Sequence, residues 1–129
     1  MHIEIEFVDG PIVEPTPVPY EEGGALLEFR GLVRATERGG RIAALIYEIY
    51  EKMAHRQIRE ILEKLHQQEP LLTALVIHRY GIVPVGQASI FVRLQSQHRG
   101  AAFHAMEQFM NQFKTDVPIW KTGSLPVPQ

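Results

Sequence analysis

SQHRGAAFHAMEQFMNQFKTDVPIWK, residues 96 to 121, is the stretch around which the rest of the chain falls into place. Ala102, Phe103, Met106, Phe109, Met110 and Phe113 recur at helical spacing and mark one apolar face, which predicts a helix from about Arg99 to Phe113. His98 and Arg99 stand at its N-terminal end, before Gly100, and Lys114 lies in its last turn. Lys121 follows Pro118-Ile119-Trp120, a short segment stiffer than an ordinary surface loop. The cations therefore sit at the two ends of a packed helix and just past it, not along an open face. Basic groups on a fixed frame suit a small anionic ligand better than a long polyanion.

Working outward, His2 to Val8 alternates polar and apolar residues and reads as a half-buried strand. Residues 10–24 hold four prolines and the Gly23-Gly24 pair, so they read as an extended loop. Ala25 to Arg34 is a second strand, with Gly31 marking a bulge or a close backbone approach. Ala35 to Arg41 reads as a mobile, solvent-facing loop, and Ile42 to Tyr50 as a third strand that pairs with the second as a hairpin. Glu51 to Gln68 is a helix with Ile58, Ile61, Leu62 and Leu65 inward, ended by Pro70. Leu72 to Arg79 and Ala88 to Gln95 are the fourth and fifth strands, separated by turns at Tyr80-Gly81 and at residues 84–86. Residues 122–129 show no periodicity and read as a short tail. Two helices set among strands without regular β-α-β alternation predict one α+β domain over residues 1–129 with a mostly antiparallel sheet.

Totals agree with this reading. The 129 residues suffice for one core, and the formal net charge of −2 argues against a general nucleic-acid binder. Without cysteine there is no disulfide, thiol nucleophile or thiolate metal site. The acidic, alternating N-terminus has no apolar signal core, and no apolar run approaches the ~20 residues of a membrane helix. A cytoplasmic protein with no membrane or nucleic-acid partner is expected.

Among candidate functional residues, Lys114 and Lys121 come first. A lysine tuned by neighbouring cations or burial serves as nucleophile, general base or proton donor, although a cation in a last helical turn is also favoured by the helix dipole alone. His98 and Arg99 add an imidazole and a guanidinium fork to the free N–H groups of a helix start, a seat for phosphate or carboxylate; a solvated arginine is the competing reading. Arg34 closes a strand and opens a Gly-rich loop, and spacing does not choose between it and Arg30, Arg38 or Arg41. His78-Arg79, at a strand end, reads as structural. The six histidines show no metal-ligand spacing, and no P-loop, dinucleotide or nucleophile-elbow motif occurs, so neither a metal nor a bound cofactor is expected.

FRGLVR (Phe29 to Arg34), YEIYEKMA (Tyr47 to Ala54), HRYG (His78 to Gly81), SQHRGAAF (Ser96 to Phe103) and FKTDVPIWK (Phe113 to Lys121) occur in fixed order, and together they resemble the large, catalytic subunit of molybdopterin synthase. The resemblance spans about residues 25 to 121. It implies an α/β-hammerhead-type fold and conversion of cyclic pyranopterin monophosphate (precursor Z) to molybdopterin, in molybdenum cofactor biosynthesis. Sulfur would come from a thiocarboxylate on the C-terminal Gly-Gly tail of a ubiquitin-like small subunit. It also implies a homodimer carrying a small subunit at each end, a heterotetramer, with no metal or other cofactor in the step. By position, Lys114 and Lys121 match the family's catalytic lysines. Arg34 matches a pocket arginine, His98 and Arg99 the phosphate-gripping pair lent by the neighbouring subunit, and Phe29 and Met110 apolar pocket walls. Where the resemblance leads one to expect a glutamate two residues past the second lysine this chain has Gly123, and a short C-terminal extension is expected. A homologue that keeps the dimer and the pterin/anion pocket without efficient sulfur transfer is the alternative reading.

Overall fold

Alternating Ile3, Ile5 and Phe7 build β1 (His2–Asp9), which lies parallel to the first part of β5 (Thr73–Pro84), with Ile3 opposite Ala74 and Phe7 opposite His78. The structure is a computed structural model and describes residues 1–128. On its other side β5 pairs antiparallel with β6 (Ala88–Ser96), which pairs with β2 (Ala25–Leu32) at the sheet edge. Past Tyr80 the partner of β5 changes: Gly81 to Pro84 run antiparallel to β4 (Gly40–Ile49). Gly81 makes the exchange at φ +78°, which a side chain adopts only with strain. β7 (Ile119–Pro126) covers the remaining edge of β4. All strand pairs except β1 with β5 are antiparallel, giving the expected α+β architecture with a mostly antiparallel sheet.

Both helices pack on one face of this sheet. Helix α1 (Glu51–Gln68) buries Ala54, Ile58, Ile61, Leu62 and Leu65, and α2 (Arg99–Asp116) buries Ala102, Ala105, Met106, Phe109 and Phe113. They close over Ala74, Val76, Ile90, Val92 and Leu94. Each large apolar side chain sealed here contributes ~1.5–3 kcal/mol, which no single helix obtains in water. On the opposite face Leu75, Ile77 and Phe91 pack with Val8 and Ile12. The proline-rich segment crosses this second face. Arg30 binds Glu14 through Nε at 2.6 Å, and Arg93 Nη1 donates to the Pro15 carbonyl at 2.7 Å. The two guanidinium groups flank the Phe91 ring at 5.0 and 5.1 Å. The Arg30 contact holds the Glu14 carboxyl below its usual range, as Arg93 does for Glu28.

Five expectations are corrected. The second and third strands do not form a hairpin: β2 pairs with β6, and β4 with β5 and β7. Residues 35–41 are instead a small hairpin of their own, in which β3 (Thr36–Glu37) returns to Gly40-Arg41 through Arg38 and Gly39, both at positive φ. Tyr80-Gly81 is not a turn but the mid-strand exchange just described. Residues 122–126, read as tail, are strand, because the backbone of β4 offers them an edge; Gln129 lies outside the described residues. Within α2, Phe103 is exposed and Ala105 takes its place in the core, and the helix runs to Asp116.

Candidate active site

The end of α2 is fixed by its own core residues. Phe113 is buried, the Val117 N–H bonds back to its carbonyl at 3.2 Å, and the Pro118 carbonyl accepts the Tyr50 N–H at 3.2 Å. The chain therefore leaves the helix directly into β7, carrying Lys114 and Lys121 on either side of one bend. In β7, Ile46 faces Gly123 while Tyr47 faces Lys121, so Thr122 is an extra residue in the ladder. Such a bulge re-aims its neighbours, here Lys121. The result is a cleft of about 380 Å³ with Lys114, Met110 and Asn111 from α2, Lys121 and Ile119 from β7, Tyr47 from β4, and His78, Ser89 and Ile90 from the central strands.

Three features set its electrostatics. Both lysines are exposed, consistent with groups that meet a ligand from solvent. Lys121 Nζ stands 3.4 Å from Glu37 Oε1 on β3, an ion pair at the surface that orients more than it stabilises. Beneath them His78 is 3% exposed, stacked on Phe113 (centroids 5.7 Å apart) and met edge-on by Tyr47 at 5.3 Å. Burial pushes its pKa down to about 4, against the smaller opposing effect of the 2.7 Å hydrogen bond between Nδ1 and the Arg79 carbonyl. The imidazole is neutral at pH 7.

Of the residues singled out in the sequence, the cleft unites Lys114, Lys121 and Met110. Phe29 stands at its margin, on the helix side of the sheet opposite Val92, with its ring 3.5 Å from where a Gly31 Cβ would be; Gly31 is opposite the lining residue Ile90. Arg34, His98 and Arg99 are exposed and do not line it. His98 caps α2 and Arg99 begins it, as expected, but Lys114 lies 15 residues further along the helix, on the order of 23 Å at 1.5 Å per residue. A second hollow of about 250 Å³, beneath the proline-rich segment beside Arg93 and Gln95, contains none of the singled-out residues.

Tyr47 and Glu37 carry no functional signal in the sequence, and His78, expected to be structural, lines the cleft. In the run Ala74 to His78 it shares the parity of Ala74 and Val76, which places it on the helix side. Glu37 has no local signal, because only the fold brings it to Lys121, 84 positions away.

Fold and cleft together define the class: a two-helix α+β protein whose paired lysines face a hollow sized for a small ligand. The chain belongs to the MoaE protein family, whose sequence profile matches residues 12–116. The molybdopterin synthase catalytic subunit of Thermoplasma volcanium is 37% identical over 104 residues, covering 81% of this chain and 76% of that protein. Vertebrate and plant relatives of the same name are 38–39% identical over 98 residues, and the chain spans about half of their length. The crystal structure of molybdopterin synthase from Staphylococcus aureus superposes with a TM-score of 0.80 at 27% identity, covering 95% of this chain and 96% of that one. A complex of subunits 1 and 2 of molybdopterin-converting factor from Helicobacter pylori matches with a TM-score of 0.68 at 25% identity, over 84% of this chain and 75% of that one. Among the described residues no helix is long and apolar enough to cross a membrane.

Proposed function

We propose that this chain is the catalytic subunit of a molybdopterin synthase, converting cyclic pyranopterin monophosphate to molybdopterin with sulfur from a thiocarboxylated, ubiquitin-like small subunit. The observation that carries the reading is the convergence of Lys114 and Lys121 on one cleft. Lys114 carries the essential step, as proton-transfer group or covalent helper, and Lys121 supports it by stabilising negative charge that develops on oxygen or sulfur. Met110 and Phe29 supply apolar wall. His98 and Arg99 of a second copy grip the phosphate, since on their own chain they stand a helix length away, and Arg34 joins the rim of the assembled site. The heterotetramer is thus two copies of this chain and two small subunits, and the reaction belongs to the cytoplasm.

Glu37 favours this reading over a homologue without sulfur transfer. Gly123 replaces the family's glutamate, yet a carboxylate still meets Lys121, delivered by the β3–β4 hairpin. The test is incubation with the thiocarboxylated small subunit and the cyclic monophosphate, followed by assay of dithiolene product. Lys114→Ala is expected to lower turnover by ~100-fold or more. Refolding Lys114→Ala with Arg99→Ala chains is expected to return about a quarter of wild-type activity, because half of randomly paired dimers are mixed and each has one intact site of two. Normal turnover by Lys114→Ala, or no recovery in the mixture, overturns the assignment.

A further inference from the structure

We infer that His78 is a ligand-reading group: its Nε2 accepts a hydrogen bond from an N–H or O–H of the molecule held in the cleft, fixing the orientation of a donor-bearing heterocycle. Nδ1 lies 2.7 Å from the Arg79 carbonyl, an acceptor only, so Nδ1 carries the proton and Nε2 the bare lone pair. Nε2 has no protein partner among the described residues. It is also not sealed from solvent: the only sealed, unpaired side-chain polar atom among those residues is Arg79 Nε. His78 lines the lysine cleft, so Nε2 opens on it.

The ring is held for this task from three sides. Phe113 stacks on it with an interplanar angle of 16°, Tyr47 meets it edge-on, and the Arg79 carbonyl fixes its tautomer. An acceptor in such a frame loses little entropy on binding, and a ligand with a donor at the matching place leaves no buried polar group unpaired. His78 is the one imidazole of the cleft lining. The two ammonium groups are donors only, Ile90, Met110 and Phe113 offer no hydrogen bonds, and Tyr47, Ser89 and Asn111 are the other polar side chains of the cleft. A ligand whose phosphate is held by His98 and Arg99 of a second copy and whose reacting carbons face the lysines presents its ring to His78. Loss of the acceptor there costs binding rather than chemistry, as expected for an orienting contact.

The inference rests on the proposed pterin reaction, and two measurements separate their failures. Equilibrium binding of the cyclic pyranopterin monophosphate is measured by calorimetry, and turnover by product assay in the assembled heterotetramer. His78→Phe keeps the ring packing and removes the acceptor. His78→Asn keeps a donor for the Arg79 carbonyl but leaves the ε position empty, so it stands in should the Phe variant fail to fold. His78→Gln returns an acceptor oxygen to the ε position. Phe and Asn are expected to weaken binding and raise KM about 5- to 10-fold with the Lys114-dependent kcat changed less, and Gln to recover most of the loss. Equal binding by wild type, Phe and Asn overturns the inference while leaving the reaction standing. Wild type that binds the pterin through His78 but forms no product overturns the reaction and supports the inference. Wild type that binds none overturns both.

Discussion

Replacing His78 by phenylalanine should flatten the acid side of the protein's stability curve. The imidazole is 3% exposed and its pKa falls from 6.5 in an unfolded chain to about 4 in the fold, mainly because burial penalises the charged form. Between these values the unfolded state binds a proton that the folded state refuses, so stability rises with pH across this window and is lost as pH falls through it. The full difference is about 3 kcal/mol, reached below pH 4. At pH 5 the unfolded imidazole is almost fully charged and the folded one almost fully neutral, and the loss relative to pH 8 is about 2 kcal/mol. Urea unfolding at pH 8 and pH 5, followed by circular dichroism at one fixed protein concentration, reads this directly. A urea slope of ~2 kcal/mol/M turns the loss into a midpoint shift of about 1 M. His78→Phe starts less stable, because the Arg79 carbonyl loses its donor, but it lacks this component of the pH dependence. The other histidines and the lowered carboxyls of Glu14 and Glu28 are common to both proteins and cancel in the comparison. If wild type and variant lose the same stability between pH 8 and pH 5, His78 is not held neutral and the description of the cleft floor is wrong.

Two further outcomes test the frame that carries the cleft. Phe109→Ala removes a ring that is 0% exposed between the helices and the sheet, and should cost ~3–5 kcal/mol in chemical denaturation; a cost below 1 kcal/mol would place the helices elsewhere. Gly81→Ala should lower the thermal midpoint, with ~1–2 kcal/mol lost to the left-handed backbone, while the exposed Asp9 carboxylate, 2.9 Å from the added Cβ, turns aside at little cost; an unchanged midpoint would deny the strand exchange at that residue.

How much of this was legible in the sequence follows the range of the forces involved. α1 could be read to the residue, because its apolar stripe, its acidic start at Glu51 and the stop at Pro70 are all local. β1 and β6 announced themselves by alternation or by β-branched content. β7 did not: in IWKTGSLP every residue after Ile119 is exposed, so no face is apolar, and the strand exists because β4, some 75 positions earlier, offers it a ladder. The exposure of Phe103 was equally invisible, since helical spacing identifies a face but not the width that the sheet covers. In the site, Lys114 and Lys121 could be named by position in the chain, but their convergence depends on the extra residue at Thr122, which is a tertiary fact. His78 hid within an apolar run, where an imidazole is most easily taken for packing.

The rigidity of α2 explains why the basic groups form two separate sets. His98 and Arg99 open the helix and Lys114 closes it, with Ala102, Ala105, Met106, Phe109 and Phe113 locking the span between them into the core. A packed helix does not bend to bring its ends together, and its length, on the order of 23 Å between Arg99 and Lys114, exceeds a phosphorylated heterocycle. Under the proposed function, one chain therefore presents half of a binding site at each end of the same helix. The lysine half has a floor, a wall and a counterion in His78, Met110 and Glu37. The His-Arg half is an exposed helix start. In the proposed assembly such a half gains a ligand when a second copy sets it against the lysine cleft, and in a two-fold dimer the same contact completes both sites at once.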